Sequence, residues 1–294
     1  MTSTFFHGIF LLLVAALFVP KPAAAQHVTK AKTGDSTETT TLRYSLITGA
    51  EVDQVAFSNW AAGGQSAIAA SLTLNTSLML LTPTWEMKHR LTIAYGRTKN
   101  GNQPSAVTVN QLFFESIYTL TLGWETNPFV SMDISTQVGP GYDYSQNPPI
   151  QISDFLDPAY LTQSMGLAYG VKKILNTRIG IGLNEVYARR FLSYAKALAQ
   201  SAGTKALTIR TGIESVSSLH LRCGRRLVLN SNLRLFSAFD RLSVWDVRFD
   251  NTLTASVDKY VNVNLSVLTV YQKAISPKTQ IREGLNLGIV CRMF

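Results

Sequence analysis

From Trp245 onward the chain alternates. Trp245, Val247, Phe249, Leu253, Ala255 and Val257 fall on one parity, and Asp246, Arg248, Asp250, Thr252, Thr254 and Ser256 on the other. After Asp258-Lys259 the pattern resumes, with Val261, Val263, Leu265 and Val267 against Asn262, Asn264 and Ser266. Successive side chains of a strand point to opposite faces, so this stretch is a hairpin of two strands, each apolar on one face and polar on the other. Both run to about twice the usual strand length of about 5–6 residues. Long amphipathic strands joined by very short turns fit a barrel whose apolar face meets lipid. Taken alone, the hairpin fits a soluble sandwich or lipocalin-like barrel equally well.

The rest of the chain repeats the pattern. Strands are predicted over about 52–60, 66–81, 85–97, 109–124, 129–138, 160–172, 178–191, 206–222 and 227–239, then the hairpin, then about 280–294. Connections after the second, fourth, sixth, eighth and tenth strands are short, and most others are longer, as in barrels with short periplasmic turns and longer outer loops. The exception is the first connection, read as a short turn at Ala61–Gly64. Aromatic residues, among them Trp60, Trp85, Tyr95, Trp124, Trp245 and Tyr271, sit near predicted strand ends, where lipid interfaces favour amphipathic rings. The fold class predicted is all-β: an antiparallel transmembrane β-barrel of about twelve strands (ten to fourteen), with both termini periplasmic.

The start of the chain reads differently. The apolar run Gly8–Val19 ends in Ala23-Ala24-Ala25-Gln26, which predicts a secretory signal peptide over 1–25, cleaved after Ala25. Residues 26–51 read as a flexible linker rich in Thr, Ser and Lys, and 52–294 as the barrel. Export and a barrel together predict the cell outer membrane. The partners expected are outer-membrane lipids and lipopolysaccharide, and the barrel-assembly machinery through a C-terminal strand ending in Phe294.

Composition sharpens this. Charged residues make up only 15% of the chain, against about 25% in soluble domains, as a lipid-facing wall requires. The net charge of +9 points in an exported chain to anionic head groups or small anionic solutes, not to nucleic acid. Two cysteines, Cys223 and Cys291, make no disulfide scaffold.

Several segments resemble an uncharacterised family of outer-membrane proteins known as domain of unknown function (DUF) 3078. They are Phe57-Ser58-Asn59-Trp60-Ala61-Ala62-Gly63-Gly64, Ala94-Tyr95-Gly96-Arg97-Thr98-Lys99, Pro140-Gly141-Tyr142-Asp143-Tyr144, and the run from Ile152 to Leu161. The resemblance implies an outer-membrane location and no activity.

Candidate chemistry lies on the polar parity. Lys88, Arg90, Arg178, Arg210, Arg234, Arg248 and Arg282 are the basic residues predicted to face the lumen. Glu86, Glu115, Asp133, Glu214, Asp246 and Asp250 are the acidic ones. Two readings follow: the basic excess lines a narrow channel for small anionic or polar solutes, or opposite charges pair across strands and close a structural or adhesive barrel. The long connection Gly139–Pro158 supplies loop candidates, Tyr142, Asp143, Tyr144, Asp154 and Asp157, for a constriction at the mouth or a partner surface. A lipid-modifying enzyme is a third reading. His220 with Ser218 lies on the polar face, and His89 on the lipid face lacks a convincing partner. No catalytic constellation, metal cluster or cofactor motif is predicted.

Overall fold

The structure is a computed structural model and describes residues 40–55, 67–171, 174–191, 207–224, 226–258, 261–273 and 278–292. The predicted signal peptide, the turn at Ala61–Gly64, Trp60 and Phe294 lie outside the described residues. In chain order the strands are β1 (Thr41–Val55), β2 (Ala67–Leu81), β3 (Trp85–Asn100), β4 (Ala106–Leu120), β5 (Thr126–Thr136), β6 (Gly141–Asp143) and β7 (Ile150–Ser153). They continue as β8 (Ala159–Val171), β9 (Leu175–Tyr187), β10 (Leu207–Cys223), β11 (Leu227–Ala238), β12 (Asp246–Ser256), β13 (Val261–Tyr271) and β14 (Gln280–Arg292). A single 3-10 turn, Phe239–Arg241, follows β11.

Twelve of these strands close into one antiparallel barrel in the order β1-β14-β13-β12-β11-β10-β9-β8-β5-β4-β3-β2. Closure comes from β1, which pairs with β2 along its length and with β14 from Ile47↔Arg292 to Glu51↔Gly288. The short β6 and β7 form a separate hairpin inside the connection from β5 to β8.

The barrel is apolar on the outside. Leu72, Met165, Ile181 and Leu285, all on outward parities, are 59–70% exposed. Among the described residues the buried apolar side chains are few and mostly small, namely Ala94, Ala168, Ala188, Val186, Val216, Phe129 and Phe236. The buried polar residues include Glu115, Asp133, Arg178 and Glu214. A water-soluble domain has the reverse arrangement. Monomeric soluble proteins rarely expose contiguous apolar patches beyond a few hundred Å², so this wall requires lipid, and the chain is a transmembrane β-barrel.

Connections at the end holding Thr41 and Arg292 are short: 82–84, 121–125, 172–174, 224–226 and 257–260. The other end carries 56–66, 101–105, 137–158, 188–206, 239–245 and 272–279. The first connection joins the longer set, because the first strand is not where the sequence predicts it, while 101–105 is no longer than 121–125. β1 covers Thr41–Val55, so a stretch assigned to the linker is barrel wall and the barrel begins before residue 52. The physical reason is a short alternation, Leu42, Tyr44 and Leu46 against Arg43 and Ser45, masked by the Thr- and Ser-rich residues before it. Leu42 and Tyr44 point outward and are exposed.

A second correction concerns β4, which ends at Leu120 rather than near Trp124. Leu122 and Trp124 lie in a turn that Gly123 enters at φ +75° and that Asn127 Oδ1 closes by accepting from Leu122 N–H at 3.1 Å. The segment read as the turn, Glu125–Pro128, is largely the start of β5, where proline is tolerated near a strand's beginning.

Candidate functional site in the barrel interior

Register fixes which side chains face inward. Cross-strand partners share a face, and Arg90↔Glu115, Glu115↔Asp133, Asp133↔Thr162 and Thr162↔Asn184 run in one row around the wall. The row continues with Asn184↔Arg210, and Glu214↔Phe236 carries the same face onto β11.

Two ion pairs leave the wall and cross the lumen. Arg178 Nη2 on β9 donates to Glu115 Oε1 on β4 at 2.7 Å, although β8 and β5 stand between those strands. Glu115 Oε2 also accepts from Arg90 Nη2 at 2.8 Å. Arg234 on β11 forms a two-pronged pair with Asp133 on β5, at 2.9 Å through each nitrogen. Its Nη1 stands 3.7 Å from Glu214 Oε1. Three strands separate β11 from β5, which is roughly 19 Å along the wall at about 4.8 Å per strand. The side chains therefore span a chord through the interior. Glu115 and Arg178 are only 5% and 6% exposed, so this side of the cross-section is filled.

The local sequence makes room for the plug. Inward positions on β5, β8 and β9 are small: Ser131 and Ser164, hydrogen-bonded at 2.7 Å, and Gly166, Gly180 and Gly182. A Cβ at Gly182 would stand 3.2 Å from the Glu214 Cβ and 3.5 Å from the Phe236 ring. Gly166 and Gly180 face each other in register, and a Cβ on either would overlap the facing strand's backbone carbonyl. Aromatic rings shelve the guanidiniums: Arg178 over Phe129 at 5.5 Å, Arg210 over Phe236 at 5.2 Å and Arg90 over Phe113 at 5.6 Å.

The remaining inward charges pair along the wall. Arg210 donates to Asp246 Oδ2 and to Asn184 Oδ1, each at 3.0 Å. Arg248 forks onto Asp250 at 2.9 and 3.1 Å, exposed. Lys88 pairs with Glu86. The Arg282 side chain lies outside the described residues. Every described basic residue in the predicted set thus meets a carboxylate. The sequence located these residues on one parity but gave no sign of which would pair across the lumen.

The opposite side of the barrel is different. The inward residues of β13, β1 and β2 include Asn264, Ser266, Ser45, Asn75 and Ser77, uncharged and, unlike Glu115 or Arg178, not buried, beside exposed Arg43 on β1 and buried Asn262 on β13. Ser45 and Ser77 bond at 2.7 Å, and Asn75 Oδ1 accepts from Thr92 on β3 at 2.9 Å.

Toward the short-turn end lies a cavity of about 470 Å³. Its lining includes Glu86, Lys88, Thr119, Glu125, Asn176 and Arg178, with Trp124 at the turn.

At the other end the predicted loop residues divide. Asp157 is buried and accepts the backbone N–H groups of Arg189, Arg190 and Phe191 at 2.9, 2.8 and 3.4 Å, which ties the start of β8 to the chain leaving β9. Its carboxylate is consumed by the barrel rim. Asp154 caps Phe155 N–H at 2.8 Å. The Tyr144 hydroxyl accepts from Val107 N–H at 2.8 Å, and outward-facing Asn110 holds Val138, Gly139 and Gly139's carbonyl. The β6–β7 hairpin is thereby fastened at the outer side of β4, with Tyr142 and Tyr144 exposed. Asp143 accepts from Ser145, which holds its carboxyl below the usual carboxylate range.

The histidines take separate partners. His220 Nδ1 pairs with Asn230 at 2.7 Å, while Ser218 accepts from Asn232 at 2.7 Å. Ser116 stands opposite His89 in register, yet the His89 ring stacks on Phe114 and its Nδ1 has no hydrogen-bond partner. Cys223 is free and exposed.

No curated protein matches the chain. Among solved structures it is similar to the translocator domain of the autotransporter NalP from Neisseria meningitidis, at 10% identity and a TM-score of 0.40, covering 99% of this chain and 96% of that one. It is also similar to an outer membrane channel from Pseudomonas putida F1, at 10% identity and a TM-score of 0.38, covering 91% and 100%. The KdgM porin matches at 7% identity and a TM-score of 0.29, covering 85% and 98%. Likeness at this level says nothing about activity. The family described as "Protein of unknown function (DUF3078)" matches residues 52–142, so the resemblance carried by the Phe57–Gly64 and Ala94–Lys99 motifs is a family match over that span.

Proposed function

We propose that this chain is an outer-membrane β-barrel whose lumen is held narrow by a charge-paired plug, acting as a low-conductance pore for small polar solutes. The observation that carries this reading is the pair of cross-lumen bridges, Arg178–Glu115 and Arg234–Asp133. They fill the interior beside β4, β5 and β8–β11 and leave the less buried inward face of β13, β1 and β2, mainly Ser, Asn and Thr, as the remaining path. The apolar outer wall and the alternation of short and long connections support the membrane placement, with the short-turn end periplasmic. Since each described arginine of the predicted lumenal set meets a carboxylate, that set presents no uncompensated ring of positive charge of the kind that selects anions. Strong anion preference is therefore not part of the proposal. The second reading, a wholly closed structural barrel, is favoured by the burial of Glu115, Asp133, Arg178 and Glu214.

Planar-bilayer recording separates the two. The pore reading expects small, regular conductance steps with cation and anion permeabilities within a few-fold of each other. A silent bilayer from protein that keeps its folded gel mobility gives the closed barrel, and large, strongly anion-selective steps contradict both.

A further inference from the structure

Most cations of the barrel strands point into the lumen. Among the described strand residues the exceptions are Arg97 and Lys99 near the end of β3, which share outward rows with Ala70 and Ile68 of β2. Both are exposed, and among the described residues neither pairs with a carboxylate. Their height on the wall follows from the aromatic residues below them. Trp85 stacks on Tyr118 at 5.7 Å at the short-turn end, and ten positions separate it from outward-facing Tyr95. At about 3.3 Å per residue and a tilt of about 40°, those ten positions rise roughly 25 Å, the height of the lipid-facing band of such barrels. Tyr95 thus stands at the band's edge, and Arg97 and Lys99 lie roughly 5 and 10 Å beyond it, at the level of lipid head groups.

The surroundings give the pair a shape. Arg97 donates from Nε to Ser105 Oγ at 3.2 Å and from Nη2 to the Ser105 carbonyl at 3.1 Å, which holds the guanidinium in place on an exposed side chain. Small Ala70 lies between exposed Ile68 and Leu72, so a shallow apolar strip runs beside the two cations and down into the lipid-facing wall. On the other flank Val107, the register partner of Arg97, donates to the Tyr144 hydroxyl, which sets the β6–β7 hairpin beside the pair. The hairpin's Asp143 carboxylate accepts from Ser145 and makes no ion pair with either cation. We propose that Arg97 and Lys99 bind the phosphate of a membrane lipid whose acyl chains lie along the Ile68–Leu72 strip. Guanidinium and ammonium donors form strong, charge-assisted hydrogen bonds to phosphate oxygens, and the apolar strip is continuous with the surface that already meets lipid. The inference rests on the membrane placement of the proposed reading and not on whether the lumen conducts.

The test is native mass spectrometry of the full chain, folded in detergent, titrated with dimyristoyl phosphatidic acid and with phosphatidylcholine of the same chains. Saturable retention of phosphatidic acid is expected at concentrations where phosphatidylcholine is not retained, and an excess of inorganic phosphate should not displace it. Lys99→Gln, which breaks no hydrogen bond among the described residues, should weaken retention about fivefold. Arg97→Gln with Lys99→Gln should weaken it at least tenfold. Arg241→Gln, an exposed arginine already facing Asp240 at 3.7 Å, should leave it unchanged. Equal retention of the two lipids overturns the proposal, as does wild-type retention in folded Lys99→Gln and double-variant protein. An equal loss in Arg241→Gln overturns the assignment to this pair, and displacement by inorganic phosphate at the lipid's own concentration overturns the lipid as its source. Retention is read without a bilayer or a current, so a silent bilayer and a failed titration are separate failures.

Discussion

The two halves of the barrel wall share one backbone pattern and differ on the inside. Along β3–β5 and β8–β11 the inward face carries Arg90, Glu115, Asp133, Arg178, Glu214 and Arg234, knit across the lumen and mostly buried. Along β13, β1 and β2 it carries mainly Ser, Asn and Thr, with Arg43 on β1, and apart from Asn262 its described residues are not buried. The outward faces of both halves are equally apolar, because lipid imposes the same demand everywhere. What varies is the polar phase, where no lipid constrains the choice. The difference teaches that narrowing here is a property of one side of the barrel and leaves a path on the other.

The strongest test of the comparison is crowding the filled half. Gly166→Val or Gly180→Val sets a side chain against the facing strand's carbonyl, and no rotamer relieves a clash at Cβ. The expected outcome is loss of the folded barrel, a destabilisation above about 4 kcal/mol, read as loss of heat-modifiable gel mobility. Recovery of a normally folded Gly180→Val barrel would mean the two strands are not pinched as described.

Next in size is removal of one plug partner. Arg234→Met leaves Asp133 and Glu214 buried without their cation. Breaking a buried pair from one side costs about 3–5 kcal/mol, and urea unfolding measures it. The matched change outside the plug is Arg248→Ala on β12, whose pair with Asp250 is exposed and local. Its cost should stay below about 1 kcal/mol, so equal effects from the two arginines would erase the distinction.

Between these falls a chemical test of the path itself. Ser77→Cys on the less buried wall should react with a water-soluble maleimide at least tenfold faster than Ser164→Cys, which the plug covers. Both native cysteines, Cys223 and Cys291, are replaced by serine in both variants to remove the background.

Much of the wall was legible in the sequence, because lipid on one side and polar groups on the other write a period of two into every strand. Where that signal was short or contradicted, the reading failed. β1 is hard to see in the sequence because Leu42, Tyr44 and Leu46 follow a polar stretch. The end of β4 is blurred in the sequence because Leu122 and Trp124 are apolar turn residues. The interior was legible only as a set of positions. Arg234 and Asp133 are far apart in sequence and on strands that are not neighbours, so spacing carries no trace of their contact. It exists because the wall curves, with small residues at Ser131, Ser164 and Gly166 leaving room. Asp157 looked like a loop acid free for a partner, and its three backbone donors from 189–191 depend on a juxtaposition of β8 and β9 that only the fold supplies.

The measurement that bears most directly on the central claim is single-channel conductance of wild type beside the paired variant Asp133→Asn with Arg234→Gln. Neutralising both partners removes the ion pair, and the shorter Gln side chain with fewer donors loosens the bridge across the lumen. The account predicts a several-fold larger conductance in the variant, with ion selectivity still weak. Equal conductance from two folded barrels would contradict it, showing that the Arg234–Asp133 bridge does not set the width of the lumen.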